Sequence, residues 1–285
     1  MARSTQIIGL IVGMWLVTAF YAQAAADLNS YIEDFTTDQY MDMLYTTAWW
    51  DTVAGELKLN PHALNLVGSY PDGSIYDMAL AGDVLYAADY AYGIRSFDIS
   101  DPVNPLVLDT YSSLGGFVGI AVDGDYAYCA HDEYSLIVID ISDPTDMSLA
   151  DLYDTGSSVY DVAVAGNVAY VAADDLGLYV VDISDPTNLV GIGMYDTGGS
   201  CRGVAIAGDY AYLADYGNGL QVIDISNPTA PSPAGGCGTP GLARSVTVAG
   251  DYAYVADDSY GLQVVDISDP TSPFIAGSFD TPGSA

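Results

Sequence analysis

Aspartate residues recur along the chain at a spacing that suits the binding of a hard cation. One set has a member in each of five successive segments: Asp89, Asp132, Asp174, Asp215 and Asp257. If these segments fold alike, the side chains meet on one face, and several oxygen ligands favour Ca²⁺. The alternative is that they are solvated loop residues, since no Asp-x-Asp-x-Asp-Gly calcium loop occurs in the sequence. The pattern makes these five residues candidate metal ligands and Ca²⁺ a candidate cofactor.

A second group of side chains suits a polar organic ligand. Tyr76, Tyr160, Arg202 and Arg244 occupy the same position, at the start of the innermost strand, in four of the five repeats, and Val118 occupies it in the second repeat. The residue type varies there while the flanking residues repeat. Two guanidinium groups beside two phenol rings would bind a carboxylate or a sugar. The alternative is that the arginines neutralise neighbouring Asp side chains. We predict a ligand-binding site at these four residues.

Nucleophilic catalysis has little support in the sequence. The chain has two histidines, His62 and His131, and His131 stands where other repeats carry a loop Asp. No Ser/His/Asp arrangement can be proposed, so no catalytic residue is assigned. Paired Asp residues leave a Ca²⁺-dependent hydrolase, of phosphatase or glycosidase type, as the alternative function. We expect a non-enzymatic binding module.

The charge balance narrows the range of partners. The chain of 285 residues carries 38 acidic and 5 basic side chains, for a net charge of −33. All but three of the acidic residues are Asp, the exceptions being Glu33, Glu56 and Glu133. Asp bonds its own backbone in tight turns, so this bias indicates many short loops. Nucleic acid would be repelled.

An internal repeat of 42 residues dominates the sequence. Asp-Ile-Ser-Asp/Asn-Pro begins at five positions: Asp98, Asp140, Asp182, Asp224 and Asp266. A second marker keeps the same step: Gly82, Gly124, Gly166, Gly208 and Gly250. Each unit also alternates apolar and polar residues in four short runs, which predicts four antiparallel strands. The Asp before Ile-Ser and the Asp/Asn before Pro are interpreted as turn residues.

Four strands in every 42-residue unit predict an all-β fold, a β-propeller with five complete blades. The predicted blades are 75–110, 117–152, 159–195, 201–237 and 243–279. One extra N-terminal strand, 63–70, has the register of an outermost strand. The last blade already has its outer strand, 274–279. The chain is therefore either a closed ring of five blades with a spare strand or a fragment of a ring with six or more, and we favour the fragment.

The run Leu136-Ile137-Val138-Ile139-Asp140-Ile141-Ser142-Asp143-Pro144 and its counterparts resemble the LVIVD-repeat family. The resemblance covers roughly residues 64–285, and motif and period agree in every unit. It implies a propeller found on or outside prokaryotic cells, in most cases without an assigned activity. The family therefore supports fold and location more than function.

The N-terminus predicts export. Arg3 precedes an apolar run from Ile7 to Phe20, and Ala22 and Ala24 fit an A-x-A cleavage site. Residues 1–24 are therefore interpreted as a signal peptide, with a retained membrane anchor as the alternative. Residues 25–60 form an aromatic-rich leader, either mobile or docked on the propeller, and 61–285 form the propeller. We expect a secreted or cell-surface protein without a transmembrane segment after cleavage, whose partner is a protein or glycan at the cell surface.

The three cysteines give little information. Cys129, Cys201 and Cys237 lack metal-ligand spacing, and Cys129 occupies a strand position that is apolar in other repeats. Cys201 and Cys237 are expected on one face of the same blade. Three strand spacings would separate them by about 14 Å, which is too far for a disulfide.

Overall fold

The computed structural model describes residues 74–281, except 102, 114 and 134, together with the backbone of residues 48–51 and 56–59. Strands β1 (Ala48–Asp51) and β2 (Glu56–Leu59) form an antiparallel hairpin of their own. The predicted signal peptide, the remainder of the leader and the extra strand at 63–70 lie outside the described residues.

Five four-stranded antiparallel sheets follow, which we call blades 1 to 5. Blade 1 consists of β3 (Ile75–Ala81), β4 (Val84–Asp89), β5 (Gly93–Asp98) and β6 (Leu106–Tyr111). Blade 2 consists of β7 (Phe117–Asp123), β8 (Tyr126–His131), β9 (Ser135–Asp140) and β10 (Ser148–Asp154). Blade 3 consists of β11 (Asp161–Ala165), β12 (Val168–Ala172), β13 (Leu178–Asp182) and β14 (Val190–Tyr195). Blade 4 consists of β15 (Gly203–Ala207), β16 (Tyr210–Ala214), β17 (Leu220–Asp224) and β18 (Ser232–Cys237). Blade 5 consists of β19 (Ser245–Ala249), β20 (Tyr252–Ala256), β21 (Leu262–Asp266) and β22 (Phe274–Phe279).

The all-β architecture with five complete blades confirms the prediction from the 42-residue period. Each blade is a simple meander in chain order, because short turns join consecutive strands. In blade 3, Gly166 adopts a φ of 58° between the paired residues Ala165 and Val168. A side chain would strain this left-handed conformation, so the repeated Gly fixes the hairpin and its register.

The repeated Asp residues close turns as predicted. The Asp182 carboxylate accepts a hydrogen bond from the Ser184 backbone N–H at 2.9 Å. Three residues further on, Asp185 accepts hydrogen bonds from the backbone N–H and the hydroxyl of Thr187 at 3.0 and 2.7 Å. Equivalent bonds occur in the other blades, so much of the acidity of the chain serves loop construction.

Packing between blades supplies the core. We call the face of a blade that contacts the following blade its leading face, and the opposite face its trailing face. Tyr212 and Leu220 on the leading face of blade 4 pack with Val246, Val255 and Val265 on the trailing face of blade 5. The same arrangement joins blades 1 and 2, 2 and 3, and 3 and 4, so each blade is stabilised mainly by its neighbours.

Two kinds of residue let the outer parts of adjacent blades approach closely. A Cβ atom on Gly235 of blade 4 would lie 2.4 Å from the carbonyl oxygen of Pro270 in blade 5. At the equivalent position of blade 2, the Asp151 carboxylate instead accepts a hydrogen bond from the backbone N–H of Leu189 in blade 3, at 2.7 Å. With either the glycine or the hydrogen-bonded Asp at this position, the blade boundary has no space for a larger side chain.

The leading face of blade 5 differs from the others. The innermost strands adjoin in the order β3, β7, β11, β15 and β19, and among the described residues no contact of comparable extent joins β19 to β3. Tyr212 and Leu220 of blade 4 are 3% and 0% exposed, whereas their counterparts Tyr254 and Leu262 are only half-buried. Blade 5 therefore repeats the apolar leading face without covering it fully.

This difference predicts unequal costs for the same substitution. Leu220→Ala should lower the free energy of unfolding by about 2–5 kcal/mol, because it opens a cavity between two blades. Leu262→Ala should cost clearly less, because the half-buried side chain leaves no enclosed cavity. Urea denaturation of both variants measures the difference, and equal losses would show that the Leu262 face is covered.

Candidate functional site

A stack of aromatic and cationic side chains lies where the innermost strands of blades 3 to 5 begin. The guanidinium carbon of Arg202 lies 3.8 Å from the centre of the Tyr160 ring and 5.5 Å from that of Tyr216. The guanidinium carbon of Arg244 lies 5.6 Å from the same Tyr216 ring. The order Tyr160, Arg202, Tyr216, Arg244 thus alternates rings and cations, and we call these four residues the ladder. Such contacts are attractive because a cation lies over the electron-rich face of a ring.

The backbone holds Tyr160, Arg202 and Arg244 at equivalent points of blades 3, 4 and 5. The backbone N–H of Arg202 donates to the Ala214 carbonyl at 2.8 Å, and that of Arg244 donates to Ala256 at 2.9 Å. The side chain of Arg202 is fixed as well, because its Nε–H donates to the Ser200 hydroxyl at 2.9 Å. The repeated hairpin therefore sets the spacing along the ladder.

Each arginine of the ladder also pairs with a carboxylate. Arg202 lies 3.5 Å from Asp174, and Arg244 lies 3.4 Å from Asp258. The Ser200 hydroxyl bonds the same carboxylate of Asp174. The side chain of Arg202 is 27% exposed and that of Arg244 is 44% exposed, so both retain surface that a ligand can reach. The two arginines thus neutralise neighbouring Asp side chains and still present part of their guanidinium groups to solvent.

Tyr216 is the ladder residue that sequence reasoning missed. Its φ is 45°, in the left-handed region that a bulky residue rarely adopts. Two backbone hydrogen bonds with Ala243 of the next blade, at 3.0 and 2.9 Å, hold it there. Backbone strain of this kind is concentrated at functional sites, where the surrounding structure imposes it. The available signal was a Tyr at a position that carries Asp174 or Asp258 in other blades.

Tyr76, the remaining residue of the predicted ligand site, has different neighbours. Its ring lies 5.5 Å from that of Tyr90, centre to centre, in a tilted arrangement. A hydrogen bond with Asp132 and the negative charge of that carboxylate raise the pKa of Tyr90. The structure thus brings Tyr160, Arg202 and Arg244 into one ladder and places Tyr76 in a separate aromatic pair.

The five candidate metal ligands occupy two registers instead of one. Asp89, Asp215 and Asp257 end the second strand of a blade or follow it directly, and all three are fully buried. Asp132 and Asp174 lie one residue further along the repeat, in the turn. Within residues 74–281 as described, no three His, Cys, Asp or Glu side chains lie close enough to hold a metal ion together. Calcium binding by these residues stays a prediction.

The buried carboxylates already have protein donors. Asp89 accepts hydrogen bonds from the backbone N–H groups of Ser74 and Ala91 at 3.1 and 3.0 Å, and pairs with Arg95 at 3.3 Å. In two later blades the donor is a threonine hydroxyl of the preceding blade. Thr197 bonds Asp215 at 2.9 Å and Thr239 bonds Asp257 at 2.5 Å. This hydrogen bond, which we call the threonine latch, joins consecutive blades.

Two further carboxylates lie on the innermost strands and were not predicted. Asp77 accepts hydrogen bonds from the backbone N–H of Met78 and from that of Ile120 in blade 2, both at 2.8 Å. Asp161 bonds Val162 at 2.8 Å and Val204 in blade 4 at 2.9 Å in the same way. Each carboxylate therefore ties its innermost strand to the innermost strand of the next blade.

The residues between these carboxylates explain how they fit. The equivalent position is Gly119 in blade 2, Gly203 in blade 4 and Ser245 in blade 5, so Asp and Gly alternate over blades 1 to 4. A Cβ atom on Gly119 would lie 2.9 Å from the carbonyl oxygen of Tyr160. The alternation with a period of two repeats was the signal for this pair, and it is hidden when each repeat is compared only with the next.

Burial places an energetic cost on the charges of this pair. Desolvation raises the pKa of Asp77 to about 6, although its backbone hydrogen bonds act in the opposite direction. Desolvation and then the negative charge of Asp77 raise the pKa of Asp161 to about 8. The two carboxyl groups therefore influence each other, and the folded protein favours a protonated form of the pair.

Ser113 and His131 meet beside a cleft of about 220 Å³ that also includes Tyr111 and Glu133. The Ser113 hydroxyl lies 3.2 Å from His131 Nε2, and the Glu133 backbone N–H donates to Nδ1 at 3.2 Å. Because Nδ1 is an acceptor, Nε2 carries the proton and donates it to the hydroxyl. In this tautomer His131 cannot accept the Ser113 proton, so it does not activate Ser113 as a nucleophile. The two residues instead stand at the positions that form the threonine latch in later blades.

The cysteines depart from the prediction in one respect. Cys201 packs between blades 3 and 4, whereas Cys237 packs between blades 4 and 5, so they lie on opposite faces of blade 4. The expectation of a shared face was wrong at Cys201, because this residue lies before β15 and forms an isolated β-bridge with Asp174 of blade 3, which takes it out of the alternation of blade 4. Both thiols are free, and Cys129 is buried in the core as expected.

The buried pair Asp77 and Asp161 predicts a specific pH dependence of stability. A raised pKa means that folded Asp161 retains a proton that the unfolded chain releases, so the free energy of unfolding should fall as pH rises from about 4 to about 8. Asp161→Asn cannot titrate and should make this slope shallower. Urea denaturation across that pH range measures the slope.

Asp266→Asn is the matched control, because it removes the same single charge. The Ser268 hydroxyl and then the Ser268 backbone N–H lower the pKa of Asp266, so its contribution to stability is lost as pH falls below about 4. Above that pH the slope of this variant should equal that of the parent. A slope that Asp161→Asn leaves unchanged would contradict the assignment.

Solved structures share the fold at low sequence identity. A functionally unknown protein from Desulfotomaculum acetoxidans DSM 771 matches with a TM-score of 0.64 and 13% identity, over 74% of this chain and 71% of that one. The Cps50 (Swd1) β-propeller domain of Myceliophteria thermophila matches with 0.60 and 13%, over 76% and 74%. U3-55K matches with 0.59 and 15%, over 83% and 76%. These similarities establish the propeller fold, and no curated protein matches the sequence.

The family comparison follows the blades. The model of the LVIVD repeat matches four consecutive segments: 115–155, 156–197, 198–239 and 240–281. Each segment supplies the strands of one blade, from blade 2 to blade 5, and together they include more than half of the chain. Motif, period and fold therefore agree, and the chain belongs to the LVIVD-repeat family.

Proposed function

We propose that this protein is an exported, non-enzymatic binding module that recognises a glycan at the cell surface through the ladder. The propeller repeat fold indicates an interaction module in general terms. The finer proposal rests on one observation, the alternation of two tyrosine rings and two guanidinium groups at the start of the innermost strands.

The geometry of the ladder suits a sugar. Tyrosine rings offer flat apolar faces with a polar tip, and guanidinium groups offer several fixed donors in a plane. The close contact of Arg202 with Tyr160 and its ion pair with Asp174 already restrict the Arg202 side chain, so it loses little conformational freedom when a ligand binds. A preorganised surface of this kind binds with a smaller entropic cost.

The charges of the site favour a neutral or weakly acidic glycan. Asp174 and Asp258 offset the two guanidinium charges, so the ladder does not attract anions strongly at long range. The net charge of −33 opposes the approach of polyanions. Individual guanidinium donors remain available for hydroxyl or single carboxylate groups of a sugar.

A Ca²⁺-dependent hydrolase is the weaker proposal. Asp215 and Asp257 are fully buried and engaged by threonine hydroxyls, and Asp89 is engaged by Arg95. The Glu133 backbone N–H donates to His131 Nδ1, and in the tautomer that this bond favours Nε2 is a donor to Ser113 and not a base.

Within the residues that the structure describes, no helix has the length and apolar character needed to cross a membrane.

The ladder can be tested with panels of oligosaccharides, neutral and uronic-acid-containing, in a calorimetric binding assay. Arg202→Ala should weaken the binding of any hit about tenfold or more, since it removes the stacking partner of both tyrosines. Met194→Ala, an exposed residue of the outermost strand of blade 3, is the control and should bind as the parent does. Equal affinities for the parent and Arg202→Ala would refute glycan recognition by the ladder.

Export has its own test. Expression of the full chain in a bacterium with a Sec pathway should yield extracytoplasmic protein whose N-terminal residue is Ala25, because Ala22 and Ala24 fit the cleavage site. Ala24→Leu should block this cleavage, since the position before the cut requires a small residue. N-terminal sequencing of the exported protein gives the answer, and a cytoplasmic, uncleaved product would contradict export.

A further inference from the structure

The leading face of blade 5 carries the residue types that blades 2, 3 and 4 bury against the blade that follows each of them. Four positions are fully or almost fully buried in blade 4, namely Tyr212, Ala214, Leu220 and Val222. The equivalent residues of blade 5 keep the same types and are half-buried: Tyr254, Ala256, Leu262 and Val264. The apolar surface of a blade boundary is thus present without the full burial that the other boundaries have.

Blade 5 also has the threonine of a threonine latch, and this threonine lacks the acceptor that its counterparts bond. At the boundaries after blades 3 and 4, a threonine that follows the outermost strand bonds an Asp found 18 residues later, in the next blade. Thr281 is the equivalent residue of blade 5. Its hydroxyl oxygen is shielded from solvent and has no hydrogen-bond partner. A buried hydroxyl without a partner is costly, which indicates an acceptor that a following blade would supply.

A glycine on the outermost strand gives independent evidence. A Cβ atom on Gly193 or Gly235 would lie 2.4 Å from the carbonyl oxygen of Pro228 or Pro270 in the next blade. Gly277 occupies the same position of blade 5, and an added Cβ there would meet nothing within 4 Å. Blade 5 therefore retains the glycine that makes room for the turn of a following blade.

We propose that the leading face of blade 5 is a docking surface for a further LVIVD-type blade. Such a blade would cover Tyr254 and Leu262, place its turn carbonyl over Gly277 and bring a buried Asp to the Thr281 hydroxyl. The boundary of blades 4 and 5 shows each of these three contacts already formed. The occupant is therefore inferred from the contacts that blade 5 itself makes with blade 4.

The first blade of a second copy is a poorer fit. The trailing face of blade 1 would have to provide the complementary surface, but Leu85, Ala87, Phe97 and Ile99 on that face are already buried. Its buried Asp89 is engaged by backbone N–H groups and by Arg95. The oxygens of Asp89 therefore already have donors, which makes blade 1 a poorer acceptor for the Thr281 hydroxyl.

The test compares the chain as it stands with a version in which a copy of residues 240–281 replaces everything after Thr281. The copied repeat keeps the register and places the equivalent of Asp257 at the latch distance from Thr281. We expect the added repeat to fold, to resist proteolysis and to raise the melting temperature. Thr281→Val and Gly277→Ala then distinguish docking from independent folding.

In the chain as it stands, Gly277→Ala should change the melting temperature little, and Thr281→Val should leave it unchanged or raise it, since it removes an unpaired hydroxyl. In the extended chain each substitution should lower the melting temperature by at least about 2 °C, because each disturbs the new boundary. The matched control is Gly235→Ala, which should destabilise both versions alike through its contact with Pro270.

Three results would overturn the proposal. The added repeat could remain protease-sensitive, or Gly277→Ala and Thr281→Val could have the same effect in both versions. The chain as it stands could also sediment as a dimer that Leu262→Asp dissociates, which would identify a second copy as the occupant. Glycan binding by the ladder is measured separately, so none of these three results depends on the proposed function.

Discussion

The burial of apolar strand faces between neighbouring blades is the constraint on which the structure depends. A single four-stranded sheet of about 42 residues has too little interior of its own, so each blade gains its core from the blades on either side. Leu220 and Val222 are fully buried only because blade 5 lies against them. The glycines at the boundaries follow from the same constraint, since the carbonyl of Pro270 approaches the Gly235 position too closely for a side chain.

Aspartate serves this architecture in three different environments. Asp182 closes an exposed turn, where the Ser184 backbone N–H and hydroxyl lower its pKa. Asp257 lies buried at a blade boundary and receives the Thr239 hydroxyl. Asp161 bonds the backbone of the next innermost strand, and desolvation there raises its pKa. The same residue type thus has opposite shifts of pKa in a turn and at the centre, and composition alone does not distinguish these roles.

The sequence predicted the blades and part of the candidate site. The period of 42 residues fixes the strand order, and the variable position at the start of each innermost strand identified Tyr160, Arg202 and Arg244. Tyr216 was missed because its position in the ladder depends on a left-handed φ that the next blade imposes. Asp161 was missed because its bond to Val204 crosses a blade boundary. Effects that arise only from packing between blades are not visible within one repeat.

The ladder and the blade boundaries are physically linked. Isolated β-bridges join Asp174 to Cys201 and Tyr216 to Ala243, so residues beside the ladder are fixed by the blade that follows them. Asp258 has the same register and the same left-handed conformation, and it pairs with Arg244 of its own blade. The exposure of Arg244, 44% against 27% for Arg202, agrees with a less confined end of the ladder at the open face of blade 5. A blade docked on that face would therefore act on the binding surface as well as on stability, because it would confine the last cation of the ladder as blade 5 confines Tyr216.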